Sequence, residues 1–88
     1  MEYRIDLKGV NTKEELHERI AEALPLPEYY GKNLDALYDV LTESGVGWDI
    51  VITGAEGFAE SCSSYWLNLK RVFSQAQEET PGLQIRFL

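Results

Sequence analysis

The sequence predicts an α/β fold in which three parallel strands pack with about four helices, and three observations predict it. Tyr3, Ile5 and Leu7 alternate with Arg4, Asp6 and Lys8 near the start, and Leu83, Ile85 and Phe87 alternate with polar neighbours at the end. That period of two marks strands with one buried face. Between them, Ile50, Val51 and Ile52 form the short continuous apolar run of a strand covered on both sides. Helical patterns separate the three runs. Strands joined by helical crossovers pair in parallel, with right-handed connections.

The elements follow in order. Gly9 ends the first strand. Thr12 and Glu15 have the spacing of a capping box, and Leu16, Ile20, Ala23 and Leu24 supply the apolar stripe of a first helix. Pro25 and Pro27 stop it, because proline cannot continue a helical ladder. Residues 26–32 form a loop rich in Pro, Tyr and Gly. Asn33 is a good cap for a second helix over 34–42, which Ser44, Gly45 and Gly47 break. After the central strand, Gly54 and Gly57 punctuate a short helix over 55–61. Ser63 or Ser64 can cap a long last helix running to Glu79, with Trp66, Leu69, Val72, Phe73 and Ala76 on its apolar face. Pro81 and Gly82 turn the chain into the last strand. With no repeat, linker or low-complexity segment, residues 1–88 read as one domain.

Composition narrows the function. The chain has 88 residues, 44% hydrophobic and 11% aromatic, which suits a folded domain and not a disordered one. At this length roughly 60–65% of the unfolded surface is buried, so the stability margin is thin. The net charge of −7 disfavours nucleic acid and anionic membranes, whose phosphates repel it, and favours basic protein partners. Plain solubility is the competing reading of that charge. One cysteine, Cys62, forms no internal disulfide, and one histidine, His17, is too few for a zinc site or a Cys/His catalytic pair. No cofactor is expected. The start, Met-Glu-Tyr-Arg-Ile-Asp, has no apolar run of signal-peptide length, and no stretch reaches the roughly 20 apolar residues that span a bilayer, so a cytoplasmic protein is expected.

Residues 26–41 carry the chemistry. On a helical wheel Leu34, Leu37 and Leu41 share the core-facing side. Asp35 and Asp39 stand one turn apart on another face, Glu43 extends their stripe, and Tyr38 borders it. Tyr29 and Tyr30 precede the helix, with Gly31 allowing a close backbone approach. Like charges at this spacing repel, and the only basic residue in the strip is Lys32. A carboxylate pair flanked by exposed tyrosines suits a cationic cleft; a solvated polar face is the plainer alternative. Catalysis by paired carboxylates needs a second wall across a cleft, which one helix face does not supply, and no calcium-loop spacing is present.

The run Leu26-Pro27-Glu28-Tyr29-Tyr30-Gly31-Lys32-Asn33-Leu34-Asp35-Ala36-Leu37-Tyr38-Asp39-Val40-Leu41 closely resembles the signature of the barstar family, intracellular inhibitors of barnase-type ribonucleases. The resemblance is long and ungapped here and looser over the rest of the chain. It implies a barstar-like fold and an inhibitor that is not itself an enzyme. In that family the second helix and the preceding loop plug the enzyme's active site. By position, Asp39 stands in for a substrate phosphate among basic groups and Asp35 meets the substrate-binding loop. Tyr29 and Asn33 would contact the guanine-site and active-site rims. The implied partner-binding set is Tyr29, Tyr30, Gly31, Asn33, Asp35, Ala36, Tyr38, Asp39, Thr42, Gln75 and Glu79. The implied partner is a basic, extracellular-type, guanyl-preferring ribonuclease, bound one-to-one by an inhibitor that is monomeric when free.

There are departures. Position 38 is commonly Trp in the family and is Tyr38 here. Gln75 stands where an acidic contact is usual, while Glu79 is kept. The loop over 43–48 is one residue longer. Two alternatives stay open: an immunity-type inhibitor (an antitoxin) of a different toxin or nuclease on the same scaffold, and a general acidic interaction domain.

Overall fold

Alternating apolar residues at the chain start become the strand β1 (Glu2–Asp6), and the central apolar run becomes β2 (Asp49–Thr53). In a computed structural model describing residues 1–88, these are followed by β3 (Gln84–Phe87) in one sheet of order β1-β2-β3. Both pairings are parallel, with Tyr3 opposite Ile50 and Ile50 opposite Ile85. The central strand is buried on both faces through Ile50, Val51 and Ile52, as its lack of alternation predicts. The edge strands keep one wet face. There Arg86 reaches Asp49 at 3.0 Å and Glu2 at 3.6 Å, pairs too exposed to stabilise much.

The helices are α1 (Lys13–Ala23), α2 (Leu34–Ser44), α3 (Glu56–Ser61) and α4 (Ser63–Glu79). Thr12 caps α1 by accepting from the Glu15 amide at 3.1 Å, and its hydroxyl donates to the Glu15 carboxylate. The reciprocal half of the box therefore runs between side chains and not back to the Thr12 backbone. The core joins Leu16 and Ile20 of α1, Leu37 and Leu41 of α2, Phe58 of α3 and Leu69, Phe73 and Ala76 of α4 to the sheet. Along their length α2 and α4 pack against each other.

Two boundaries differ from the sequence expectation. Helix α2 runs two residues further, through Ser44, and ends at Gly45, whose amide bonds the Leu41 carbonyl at 3.0 Å. A Cβ at Gly45 would sit 2.3 Å from that carbonyl oxygen, so the residue tolerates no side chain. The second correction is at the start of α4. Neither Ser63 nor Ser64 caps it; both lie inside the helix. Cys62 is the junction, with no side-chain cap. Only that residue separates α3 from α4, and its amide and carbonyl are used by the two helices in turn, bonding Phe58 and Trp66. No helix is long and apolar enough to cross a membrane.

Candidate partner-binding face

The loop before α2 is fixed by short-range bonds. Pro27 accepts from the Tyr30 amide at 3.0 Å, closing one turn. Gly31 then lies so close to α2 that a Cβ on it would come within 3.3 Å of the Ala36 Cβ. Lys32 adopts a φ of 52°, the left-handed region that a side chain resists. Asn33 completes the junction: its side-chain oxygen accepts from the Ala36 amide at 2.8 Å and its amide group donates to the Gly31 carbonyl at 3.2 Å. One side chain thus ties the loop to the first turn of the helix. Asn33→Ala is expected to cost about 1 kcal/mol of folding stability, read as a lower urea midpoint; an unchanged midpoint would deny the tie.

Beside this junction the loop and α2 enclose an open groove of about 440 Å³, lined by Pro27, Tyr29, Tyr30, Gly31, Ala36, Asp39, Val40 and Glu43. Tyr29 stands at its edge, 88% exposed. Asp35 and Asp39 are exposed along α2, and Glu43 follows one turn later. The only ion pairs in the molecule are those of Arg86, so the carboxylates of this face have no cation within 4 Å. Asp35 gains a little from the positive end of the helix; Asp39 and Glu43 do not.

Across the face, α4 adds the remaining groups. The Tyr38 hydroxyl donates to the Glu79 carboxylate, reaching both of its oxygens. That bond is the main reason the phenol is held above its ordinary 10, with burial and the charges of Glu79 and Asp39 adding to it. The pair bridges α2 and α4 and fixes Glu79 beside the acidic stripe. Gln75 lies one turn earlier on α4, exposed and neutral. Thr42 is half-buried, and its hydroxyl is committed to the helix, donating to the Tyr38 carbonyl at 2.9 Å. No three acidic, His or Cys side chains cluster closely enough to hold a metal ion.

Tyr30 requires a correction. Its neighbour Tyr29 points outward, but Tyr30 is only 8% exposed and belongs to the core cluster. Its hydroxyl meets Nδ1 of His17 at 2.7 Å, and Nε2 of the same ring meets the Tyr65 hydroxyl at 2.7 Å. The ring therefore turns inward because a buried imidazole offers a partner there. What Tyr30 shows the groove is its margin and not an exposed phenol. Burial holds His17 below the ordinary 6.5; the Glu14 charge opposes this and the Lys32 charge reinforces it.

The groove also includes residues absent from the sequence expectation, namely Pro27 and Val40. Val40 follows Ala36 by one turn, so the two form a second apolar line on α2 away from the core-facing leucines. That spacing was visible in the sequence, but only the loop folded over it makes a groove.

Known proteins bear on this geometry. The family profile described as "Barstar (barnase inhibitor)" matches residues 1–88. A Bacillus subtilis (strain 168) protein named "Putative ribonuclease inhibitor YrdF" is 36% identical over 80 residues, covering 85% of this chain and 84% of the relative.

Proposed function

Because the chain belongs to the barstar family, we propose that it is a ribonuclease inhibitor that blocks the active site of a basic, barnase-like enzyme with α2 and the loop before it. The observation that carries this reading is the helical face of carboxylates without cations, set beside an exposed tyrosine and a groove. A desolvated Arg or Lys of an enzyme's phosphate-binding site finds free acceptors there, carried on one helix. The family's usual partner and the relative's name support a ribonuclease as the target. The inhibitor acts one-to-one as a monomer, in the cytoplasm of the cell that makes or receives the enzyme. In this reading Asp39 is the anchor and Asp35 its neighbour on the same side. Tyr29, Gly31, Asn33 and Ala36 form the loop edge, and Tyr38, Thr42, Gln75 and Glu79 the rim.

The test is direct. Titrating a barnase-type ribonuclease with the chain is expected to abolish RNA cleavage at one equivalent. Its association rate is expected to fall steeply as salt rises, because complementary charge steers encounter. Full cleavage at excess inhibitor would overturn the reading. One observation favours a second target on the same scaffold: neutral Gln75 and the Tyr38–Glu79 bond alter the rim, and rim charge selects between partners. An immunity-type role against a different nuclease would then show as inhibition of that enzyme and not of a barnase type.

A further inference from the structure

Glu43 occupies a position that local chemistry disfavours. It lies in the last turn of α2, which holds no basic residue. The carbonyl end of a helix carries partial negative charge and repels a carboxylate placed there. Asp39 stands four residues before it, and like charges at that spacing repel as well. No cation comes within 4 Å to offset either repulsion, because the only ion pairs are those of Arg86. The charge therefore costs the free helix some stability and gains nothing inside the molecule.

The fold nonetheless gives this carboxylate a definite place. Had α2 ended at Thr42, Glu43 would lie in a loop. Because the helix continues to Ser44 and is capped at Gly45, Glu43 stays one turn beyond Asp39, and the two line the groove together. Half-buried Val40 lines the same groove from α2, and Pro27 lines it from the loop. An apolar strip that ends in unpaired carboxylates matches a side chain with a long apolar stem and a cationic head. A guanidinium is more weakly hydrated than an ammonium and loses less on leaving water, so arginine fits this groove better than lysine. The α4 side of the face offers less. There Gln75 is neutral, and the Glu79 carboxylate already accepts the Tyr38 hydroxyl.

We propose that Glu43 is a specificity-determining residue of the partner-binding face. It receives the guanidinium of a second partner arginine, one helical turn beyond the group that Asp39 meets, and that arginine's stem lies in the groove along Val40 and Pro27. The inference rests on the ribonuclease-inhibitor reading and adds to it a requirement on the target: a cation over the C-terminal end of α2. Targets without one are bound less tightly, because the carboxylate then loses water without gaining a partner.

The experiment compares Glu43→Gln with Glu60→Gln, using the barnase-type ribonuclease that the chain inhibits most tightly. Both substitutions remove one negative charge, so long-range steering changes alike and any difference is local. Dissociation is expected to speed up by about tenfold or more in Glu43→Gln and less than about twofold in Glu60→Gln, since a charge pair enclosed on binding acts on the dissociation rate. The urea midpoint of the free chain is expected to rise in Glu43→Gln, because both local repulsions are relieved. A purely structural role would lower it. Equal dissociation rates in the two variants would overturn the proposal, as would a lowered midpoint. If Asp39→Ala still weakens the complex in that case, the ribonuclease reading stands without it.

A probe that needs no enzyme separates the two claims from the other side. On titration with N-acetylarginine amide, the Val40 methyl resonances are expected to shift in the natural chain, and to shift several-fold less in Glu43→Gln. Those shifts in a chain that inhibits no ribonuclease would uphold the arginine site and remove the ribonuclease reading. Unshifted Val40 methyls, or equal shifts with N-acetyllysine amide, would overturn the assignment of arginine.

Discussion

Asp39→Ala is expected to weaken the complex with a barnase-type ribonuclease by roughly 2–5 kcal/mol, about 30-fold to several thousand-fold in Kd. The physical reason is location. Asp39 lines the groove at the middle of α2, where neither the helix dipole nor any basic neighbour compensates it. Its charge is thus available to a partner's cations without first breaking an internal bond. Removing it also leaves those cations buried and unpaired in the complex, and that penalty forms much of the loss. That range is the one known for close charge pairs at interfaces of this same family. Glu60 on α3 is exposed and makes no hydrogen bond or ion pair. Glu60→Ala is therefore expected to change Kd less than threefold, roughly 0.5 kcal/mol. Calorimetry or inhibition titrations of both variants give the comparison. Equal effects would remove Asp39 as the anchor.

Phe58→Ala is expected to destabilise the fold by about 3–5 kcal/mol, a large share of the 5–15 kcal/mol typical of a small domain. Phe58 is 0% exposed and is the one buried residue of the six-residue helix α3. So short a helix has little stability of its own, and this ring is its anchor. The ring also meets Tyr65 and Trp66 edge-on, each at 6.3 Å between centres. Its loss therefore frees α3 and loosens the packing under Tyr65 together. Urea denaturation measures the effect; a loss below about 1 kcal/mol would mean that the neighbours close the cavity.

Parts of the molecule that depend on neighbours in sequence were legible without a structure. The Thr12 cap, the Asn33 cap, the core-facing leucines of α2 and the opposing acidic stripe all follow from spacings of three or four residues. The α4 start is not legible locally: serines are good caps in general, whereas here α3 runs into α4 with one residue between them. Tyr29 and Tyr30 are adjacent and chemically identical, so no local rule could give them opposite fates. Only a buried imidazole elsewhere separates them.

The sequence by itself determined the three strands, their helical crossovers and the acidic side of α2, because periodicity and capping are local and repeat along the chain. The tertiary structure alone decided that Tyr30 turns inward to His17, that Tyr65 closes the same chain, and that Tyr38 on α2 fixes Glu79 on α4. Those contacts join residues 13, 48 and 41 positions apart. Side chains that distant meet only because the sheet sets the places of the helices, and no pattern within either segment encodes the meeting.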